Sequence, residues 1–265
     1  MSAVDKLFAD LRSKNTKALM PFLTAGDPNI ETTQAILKEI GSAGANLCEV
    51  GVPYSDPIAD GPTIQASYQR ALDNGFRLQH VFDMGAKLPA DGMPLVTMVS
   101  YAIIFRTGLK QYVQQAKAAG YAGAIVPDLL VEEADEFAQV CRDADFSLIQ
   151  LVTPTTPRER QVQIANSSSG FLYYVSVTGI TGERVELPKD LTDNVQWLRS
   201  QTDLPICIGF GISGPETAAK LAPVSDGLIV GSAVVRRIAA AKDAAEATEN
   251  VKSFVGELRQ AIDNA

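Results

Sequence analysis

Short apolar runs alternate with longer helical patterns along the whole chain, and this alternation constrains the fold more than any other feature. Two additional helical patterns lie outside this alternation, one at 4–13, before the first apolar run, and one at 78–87. Continuous apolar strands joined by helices are typical of a parallel sheet covered on both faces. The apolar runs lie at 18–24, 47–51, 94–99, 123–126, 147–152, 171–176, 205–209 and 227–230, and the helical patterns that follow them at 30–43, 63–74, 109–119, 132–143, 156–166, 191–201, 214–221 and 243–264.

Eight repeats of this unit predict an α/β fold that closes into a (β/α)8 TIM barrel, with an extra N-terminal helix and additional short helices. An open doubly wound sheet is the alternative. No linker or low-complexity segment interrupts the alternation. We therefore expect residues 1–265 to form a single barrel domain.

The composition is that of a globular protein with a sizeable core. Of the 265 residues, 46% are hydrophobic and 20% are charged, which disfavours global disorder. The net charge of −8 argues against nucleic acid or an acidic membrane surface as a partner, because both repel a negative protein. A small anionic ligand would then have to be held by local groups.

The cysteines and the N-terminus both indicate a cytoplasmic protein. Cys48, Cys141 and Cys207 are scattered along the chain and are predicted to be reduced residues of the core. The first residues form an amphipathic pattern that carries acids, and no apolar run approaches the length of about 18 residues that a membrane span needs. We expect no membrane association.

The stretch 49–65, which reads EVGVPYSDPIADGPTIQ, combines glycines, prolines and carboxylates between an apolar run and a helix. Glu49 lies inside the apolar run, where removal from water would raise its pKa and suit it to proton transfer near neutral pH. Asp60 follows in the loop and can return over the end of the same strand. In the alternative interpretation, Glu49 is paired structurally inside the barrel and Asp60 only caps the next helix.

Two late loops place glycine and serine at the start of a helix. The seventh run is followed by GFGISGPE and the eighth by GSAVV. Free amides and the positive end of the helix dipole favour an anion at such positions. A phosphate between the loops after strands 7 and 8 recurs in barrels, so we predict phosphate binding here. Tight turns without a ligand are the alternative.

The loop after the sixth run, 177–188, carries two glycines, two threonines and alternating charges. It is predicted to be a lid that orders over the ligand, with Gly182 adding an amide to the phosphate site and Thr181 reaching an acid. A solvated surface loop is the alternative.

The remaining residue types disfavour several kinds of chemistry. His80 is the one histidine of the chain and lies far from any strand end, which argues against a histidine-based metal site or a Ser-His-Asp arrangement. No lysine falls within the eight runs, and Lys17 and Lys189 are poor candidates for a Schiff base. Proton transfer by carboxylates, without a metal or cofactor in this chain, is what the residues favour.

The motifs PYSDPIADGPTIQ, GITGER, GFGIS and GSAVV together closely resemble the α subunit of tryptophan synthase. The similarity extends from PFLTAGDP near the start, through VPDLLVEE, to the last helix. This resemblance implies a barrel lyase that cleaves indole-3-glycerol phosphate into indole and glyceraldehyde 3-phosphate by a retro-aldol step. It also implies an α2β2 assembly in tryptophan biosynthesis, with pyridoxal phosphate held by the tryptophan synthase β subunit.

The resemblance assigns roles to individual positions. Glu49 and Asp60 match the catalytic pair. The matching ligand positions are Phe22 and Ile64 in the walls of the indole pocket, Tyr173 near the substrate, Thr181 in the lid, and Gly182, Gly211, Gly231 and Ser232 at the phosphate.

The partner is expected to dock on the loop at the barrel mouth, through Pro53, Tyr54 and an interface salt bridge from Asp56. Tyr54 replaces the usual phenylalanine of the family, and SYAII at 100–104 replaces a frequent Tyr-Asn-Pro-Ile-type segment in the region that meets the β subunit. Three other functions remain open: a stand-alone lyase that releases free indole, another phosphate-binding barrel enzyme, and a binding module that only activates a partner.

Overall fold

The computed structural model describes residues 1–57, 60–89, 92–176, 189–209 and 211–265, with residue 189 described by its backbone only. The strands are β1 (Ala18–Thr24), β2 (Cys48–Gly51), β3 (Leu95–Met98), β4 (Tyr121–Ile125), β5 (Ser147–Ile149), β6 (Leu151–Val152), β7 (Leu172–Val175), β8 (Ile206–Gly209) and β9 (Gly227–Val230). The helices are α1 (Ala3–Ser13), α2 (Ile30–Ile40), α3 (Pro62–Asp73), α4 (Leu78–Gly85), α5 (Tyr101–Thr107), α6 (Leu109–Ala118), α7 (Asp135–Asp143), α8 (Arg158–Ser167), α9 (Lys189–Arg199), α10 (Pro215–Leu221), α11 (Ser232–Ala240) and α12 (Ala244–Asp263), with short 3-10 helices at Val131–Glu133 and Ala222–Val224.

The strands form one parallel sheet in the order β5-β4-β3-β2-β1-β9-β8-β7-β6. Its two ends, β5 and β6, are halves of the single predicted run 147–152, separated by Gln150. The backbone N–H of Tyr173 on β7 donates to the Gln150 carbonyl at 3.1 Å, so the chain itself closes the sheet. The (β/α)8 barrel prediction is confirmed, and the alternative of an open doubly wound sheet is wrong.

Helix α5 was not among the predicted elements, because residues distant in sequence define it. The Ser100 side chain accepts from the backbone N–H of Ala102 and caps the helix. Asp128, which follows β4, accepts from the Tyr101 N–H at 2.8 Å and from the Ser100 hydroxyl at 2.6 Å. The loop after β4 therefore fixes the start of α5.

Helix α1 lies across the amino-terminal ends of the strands. A capping box between Ser2 and Asp5 fixes its start, and the Ser2 hydroxyl lies 2.7 Å from that of Ser147, the first residue of β5. Its apolar face enters the core inside the barrel, where the rings of Phe8 and Phe171 are 5.6 Å apart. The predicted N-terminal helix thus closes one end of the barrel.

The other predictions about the core hold for the described residues. Cys48, Cys141 and Cys207 are buried and free. In the part of the chain that the structure describes, no helix is long and apolar enough to cross a bilayer.

Candidate active site at the carboxyl ends of the strands

A cavity of about 600 Å³ opens at the carboxyl-terminal ends of the strands. This volume is in the range of small-molecule sites. Its floor includes Leu151 and Ile229, which also pack in the core inside the barrel. Eight of the predicted site residues line it, namely Phe22, Glu49, Asp60, Ile64, Tyr173, Gly211, Gly231 and Ser232.

Glu49 is the most unusual group in this cavity. It lies on β2 with 1% of its surface exposed, and neither carboxyl oxygen has a hydrogen-bond partner among the described residues. Burial, and to a lesser extent the charge of Asp60, raises the pKa of Glu49 to about 8. The carboxyl therefore holds a proton at neutral pH and can donate it to a bound ligand. The structural pairing of Glu49, which the alternative interpretation expects, is not present among the described residues.

Asp60 lies just before α3, and its position is set by the attachment of that helix to β1. The hydroxyls of Thr24 and Ser67 lie 2.6 Å apart. Arg70 donates two hydrogen bonds to the buried Asp27 carboxylate, at 2.7 and 2.8 Å. Two polar contacts, from the middle and the last turn of α3, thus attach this helix to the end of β1 and the loop that follows it.

The Asp60 carboxylate is half-buried and does not cap α3, because the cap residue is Gly61 and no side chain bonds to the helix start. Burial and then the charge of Asp128 raise the pKa of Asp60 to about 6. At neutral pH it is mostly ionised, whereas Glu49 is mostly protonated. Two carboxyl groups with separated pKa values are suited to different roles in one reaction.

The wall beside these acids is apolar. Phe22 and Ile64 are 3% and 8% exposed and pack with Tyr68 and Val235. A Cβ atom on Gly51 would lie 2.4 Å from the Phe22 ring. Glycine at this position therefore lets the ring approach the end of β2.

Another part of the cavity has the backbone arrangement of an anion site. Gly211 has a φ of +81°, which favours glycine. Gly231 is the N-cap residue of α11 and makes no side-chain cap, and Ser232 is the first residue of this helix. The free amides at the start of α11 are available to a ligand oxygen. Arg236, one turn further along, also lines the cavity.

The other four predicted residues are not among the described residues that line this cavity. Thr181 and Gly182 lie outside the described residues, so the lid prediction stays a prediction. Asp56 is exposed and Pro53 is buried. Asp56 lines a smaller neighbouring cavity together with Tyr54, Asp60 and Asp128. The histidine lies on α4, where its ring packs against Phe76.

Sequence reasoning missed several lining residues that only the fold brings together. Tyr68, which lines the smaller cavity, follows Ile64 by four residues on α3, so the helical spacing that placed Ile64 in the wall was the available signal. The alternation of side chains along β7 similarly links Tyr173 and Val175. The others in the larger cavity are Gly61, Met98, Pro127, Leu151, Thr153, Ile212, Ser213, Ile229 and Arg236.

The fold and this site define a (β/α)8 barrel that joins a pair of carboxyl groups, an apolar wall and a helix start with free amides at its mouth. A family model described as tryptophan synthase alpha chain matches residues 8–263. A tryptophan synthase alpha chain from Rhodopirellula baltica is 65% identical, with both chains covered completely. One from Caldanaerobacter subterraneus is 43% identical, covering 99% of this chain and 100% of that one.

Solved structures agree with the sequence comparisons. Tryptophan synthase subunit alpha from Legionella pneumophila has a TM-score of 0.92 at 35% identity, with 100% of both chains covered. A tryptophan synthase chain from M. tuberculosis has a TM-score of 0.88 at 29% identity and 99% coverage of both chains. The chain belongs to the family of tryptophan synthase alpha chains.

Proposed function

We propose that this chain is the lyase subunit that cleaves indole-3-glycerol phosphate into indole and glyceraldehyde 3-phosphate. The observation that carries the proposal is the Glu49 carboxyl, which is buried, unpaired among the described residues and has its pKa raised to about 8. A protonated carboxyl against an apolar wall is what protonation of a ring carbon requires.

The two proton transfers of the reaction fit this one group. Glu49 donates its proton to C3 of the indole ring, which makes the bond from C3 to the glycerol chain breakable. As a carboxylate it then takes the proton from the adjacent hydroxyl, and the C–C bond breaks to give the aldehyde and indole. Glu49 ends protonated, so the cycle needs no outside acid or base.

Asp60 supplies the complementary charge. With a pKa of about 6 it is ionised at neutral pH and can accept a hydrogen bond from the indole N–H. Its negative charge would stabilise the positive charge that develops on the ring after protonation at C3. Phe22 and Ile64 would pack against the indole rings.

The phosphate would bind at the other end of the cavity. The amides at Gly231 and Ser232 and the loop at Gly211 are the groups available to it, because they surround the start of α11. Gly182 would add an amide when the loop 177–188 covers the ligand. No cofactor is assigned to this chain.

The partner would be a tryptophan synthase β subunit carrying pyridoxal phosphate, in an α2β2 assembly of the cytoplasm. Asp56 is exposed at the barrel mouth, where its carboxylate accepts only from the neighbouring Ser55 hydroxyl among the described residues. A cationic side chain of the partner can therefore reach it. A protein docked there would cover the cavity and contact the loop that carries Asp60.

The test is indole release from indole-3-glycerol phosphate by the purified chain, with and without a β subunit. We expect slow cleavage by the chain alone and faster cleavage in the complex. Full activity without the partner would favour the stand-alone lyase instead. Tight binding of glycerol 3-phosphate without any cleavage in either condition would contradict the proposed activity.

A further inference from the structure

A second, smaller cavity is lined by Asp60, and Glu49 is not among its lining residues. Its volume is about 30 Å³, which is enough for a single water molecule. Asp60 lies on the boundary between this space and the substrate cavity, because it lines both. The other polar residues that line the small cavity are Tyr54, Asp56, Tyr68, Ser100 and Asp128.

Tyr68 is a buried polar residue that the proposed mechanism does not use. It is 3% exposed, and it lines the small cavity together with Asp60. The hydroxyl lies 2.9 Å from the position that a Cβ on Gly51 would occupy. Because Gly51 follows Glu49 by two residues on β2, this places the hydroxyl over the inward face of that strand, beside the two acids.

The charges around Tyr68 support a pairing with Asp60 in particular. Burial raises the pKa of Tyr68, and the Asp60 charge adds to the shift more than the Glu49 charge does. For Tyr173, on the opposite side of the cavity, burial is followed by Glu49 and then Asp60. Each tyrosine is therefore coupled most strongly to a different acid.

A hydrogen-bond donor beside Asp60 would stabilise its ionised form further. Most of the described charged and titratable groups that line the two cavities with Asp60 are acids or phenols, and the one described cation among them is Arg236, near the start of α11. The full set is Glu49, Tyr54, Asp56, Tyr68, Asp128, Tyr173 and Arg236. The Ser100 hydroxyl is already committed to Asp128. Tyr54 is half-buried, so its hydroxyl can form a hydrogen bond with water instead. Tyr68 is the buried donor that remains.

We propose that the Tyr68 hydroxyl donates a hydrogen bond to the ionised Asp60 carboxylate, directly or through one water in the small cavity. Tyr68 is then a positioning residue that holds Asp60 in the charged form which the substrate N–H requires. This inference rests on the proposed function for its catalytic meaning. The hydrogen bond itself is a property of the isolated chain and can be tested without substrate.

The test is titration of the Asp60 carboxyl by carbon-13 NMR in the full chain, with Asp60→Asn used to assign the signal. A donor to the charged form lowers a pKa, so its removal raises it. A hydrogen bond to a charged group corresponds to a shift of about one pH unit. We expect the midpoint to be about one pH unit higher in Tyr68→Phe than in the wild type.

Two matched variants separate this role from packing. Tyr68→Phe keeps the ring that packs on Phe22 and Ile64, whereas Tyr68→Leu removes it and should lower the melting temperature much more. Tyr54→Phe removes one hydroxyl from the same cavity and should leave the Asp60 midpoint unchanged. A Tyr68→Phe midpoint equal to that of the wild type would overturn the proposal, as would a shift in Tyr54→Phe instead.

Activity provides a second measurement. In the wild type, kcat/KM should decrease at pH values below about 6, where Asp60 takes up a proton. In Tyr68→Phe this acidic limb of the pH profile should move to higher pH together with the NMR midpoint. If the midpoint moves and the wild type shows no acidic limb, Tyr68 still pairs with Asp60 and the proposed catalytic role of Asp60 is wrong. If the wild-type limb is present and neither quantity moves, the pairing is wrong and the proposed function stands.

Discussion

Phe22 on β1 and Glu49 on β2 are register partners in adjacent parallel strands. Side chains at paired positions of neighbouring strands point to the same face, so the aromatic ring and the carboxyl enter the barrel side by side. Both side chains are buried, and burial is the main reason why the acid stays protonated at neutral pH. This register also places the proton donor against the surface on which an indole ring would stack.

Glu49→Gln should remove nearly all cleavage while substrate still binds. The amide keeps the shape of the carboxyl but cannot give and take a proton, and loss of an acid–base group costs on the order of 10²–10⁴ in rate. The measurement is single-turnover cleavage of indole-3-glycerol phosphate, with glycerol 3-phosphate affinity as the control for folding. Cleavage within tenfold of the wild type would contradict the assigned role.

The pH dependence of stability should also report on Glu49. Its pKa is about 8 in the folded chain against 4.5 as the reference value, so the folded state binds an extra proton between these limits. The contribution of Glu49 to stability is complete below about pH 4.5 and is lost as the pH rises through about 8. Glu49→Gln has no carboxyl to titrate at this position. As the pH increases, its free energy of unfolding should therefore rise relative to that of the wild type, by at most about 1.4 kcal/mol per pH unit.

Urea denaturation of the isolated chain across this pH range would measure the difference. Glu31→Gln, which removes an exposed carboxyl on α2, is the matched control and should follow the wild-type slope. Parallel curves for wild type and Glu49→Gln would mean that Glu49 ionises in the folded chain as it does in the unfolded one.

Gly231→Asp should weaken the binding of glycerol 3-phosphate at least about tenfold, because it puts a like charge at the start of α11. A Cβ atom at this position would lie 3.7 Å from Phe22, an ordinary contact, so Gly231→Ala should fold normally and lose much less affinity. Gly256→Asp is the control for added charge, since nothing lies near its Cβ position on α12. Unchanged affinity in Gly231→Asp, measured by calorimetry, would move the phosphate site elsewhere.

Asp56→Ala should leave the slow cleavage by the isolated chain nearly unchanged and reduce its activation by a β subunit. The exposed carboxylate has no described contact with the substrate cavity, and coupling between sites is typically about 1–3 kcal/mol. Indole release with increasing β subunit is the measurement. Asp83→Ala, an exposed acid on α4, controls for the charge. Loss of basal cleavage with normal activation would assign Asp56 to the active site.

Much of the fold follows from the apolar runs alone. The predicted runs at 18–24 and 227–230 coincide with β1 and β9, because central parallel strands are apolar on both faces and end where the turn residues begin. The break at Gln150 and helix α5 were not predictable in this way. Both depend on partners far along the chain, Tyr173 in the first case and Asp128 in the second.

The residues of the site likewise include some that the local sequence pattern indicates and others that only the fold identifies. Glu49 was found because a charged residue in an apolar run conflicts with the local pattern, and such conflicts mark functional positions. Tyr68 was not found, because an aromatic residue on the inner face of a helix has the appearance of ordinary core. Its hydroxyl becomes notable only when the fold places it beside Asp60 and Gly51.

Helix α1 covers the amino-terminal end of the barrel, and among the described residues the substrate cavity opens at the carboxyl ends of the strands. In the proposed reaction both products would use this opening, and the fragment nearer to it would have to leave first. The order of their release would then follow from their positions in the cavity rather than from their affinities. A protein bound over the opening would control substrate entry and product exit without contacting the reacting atoms.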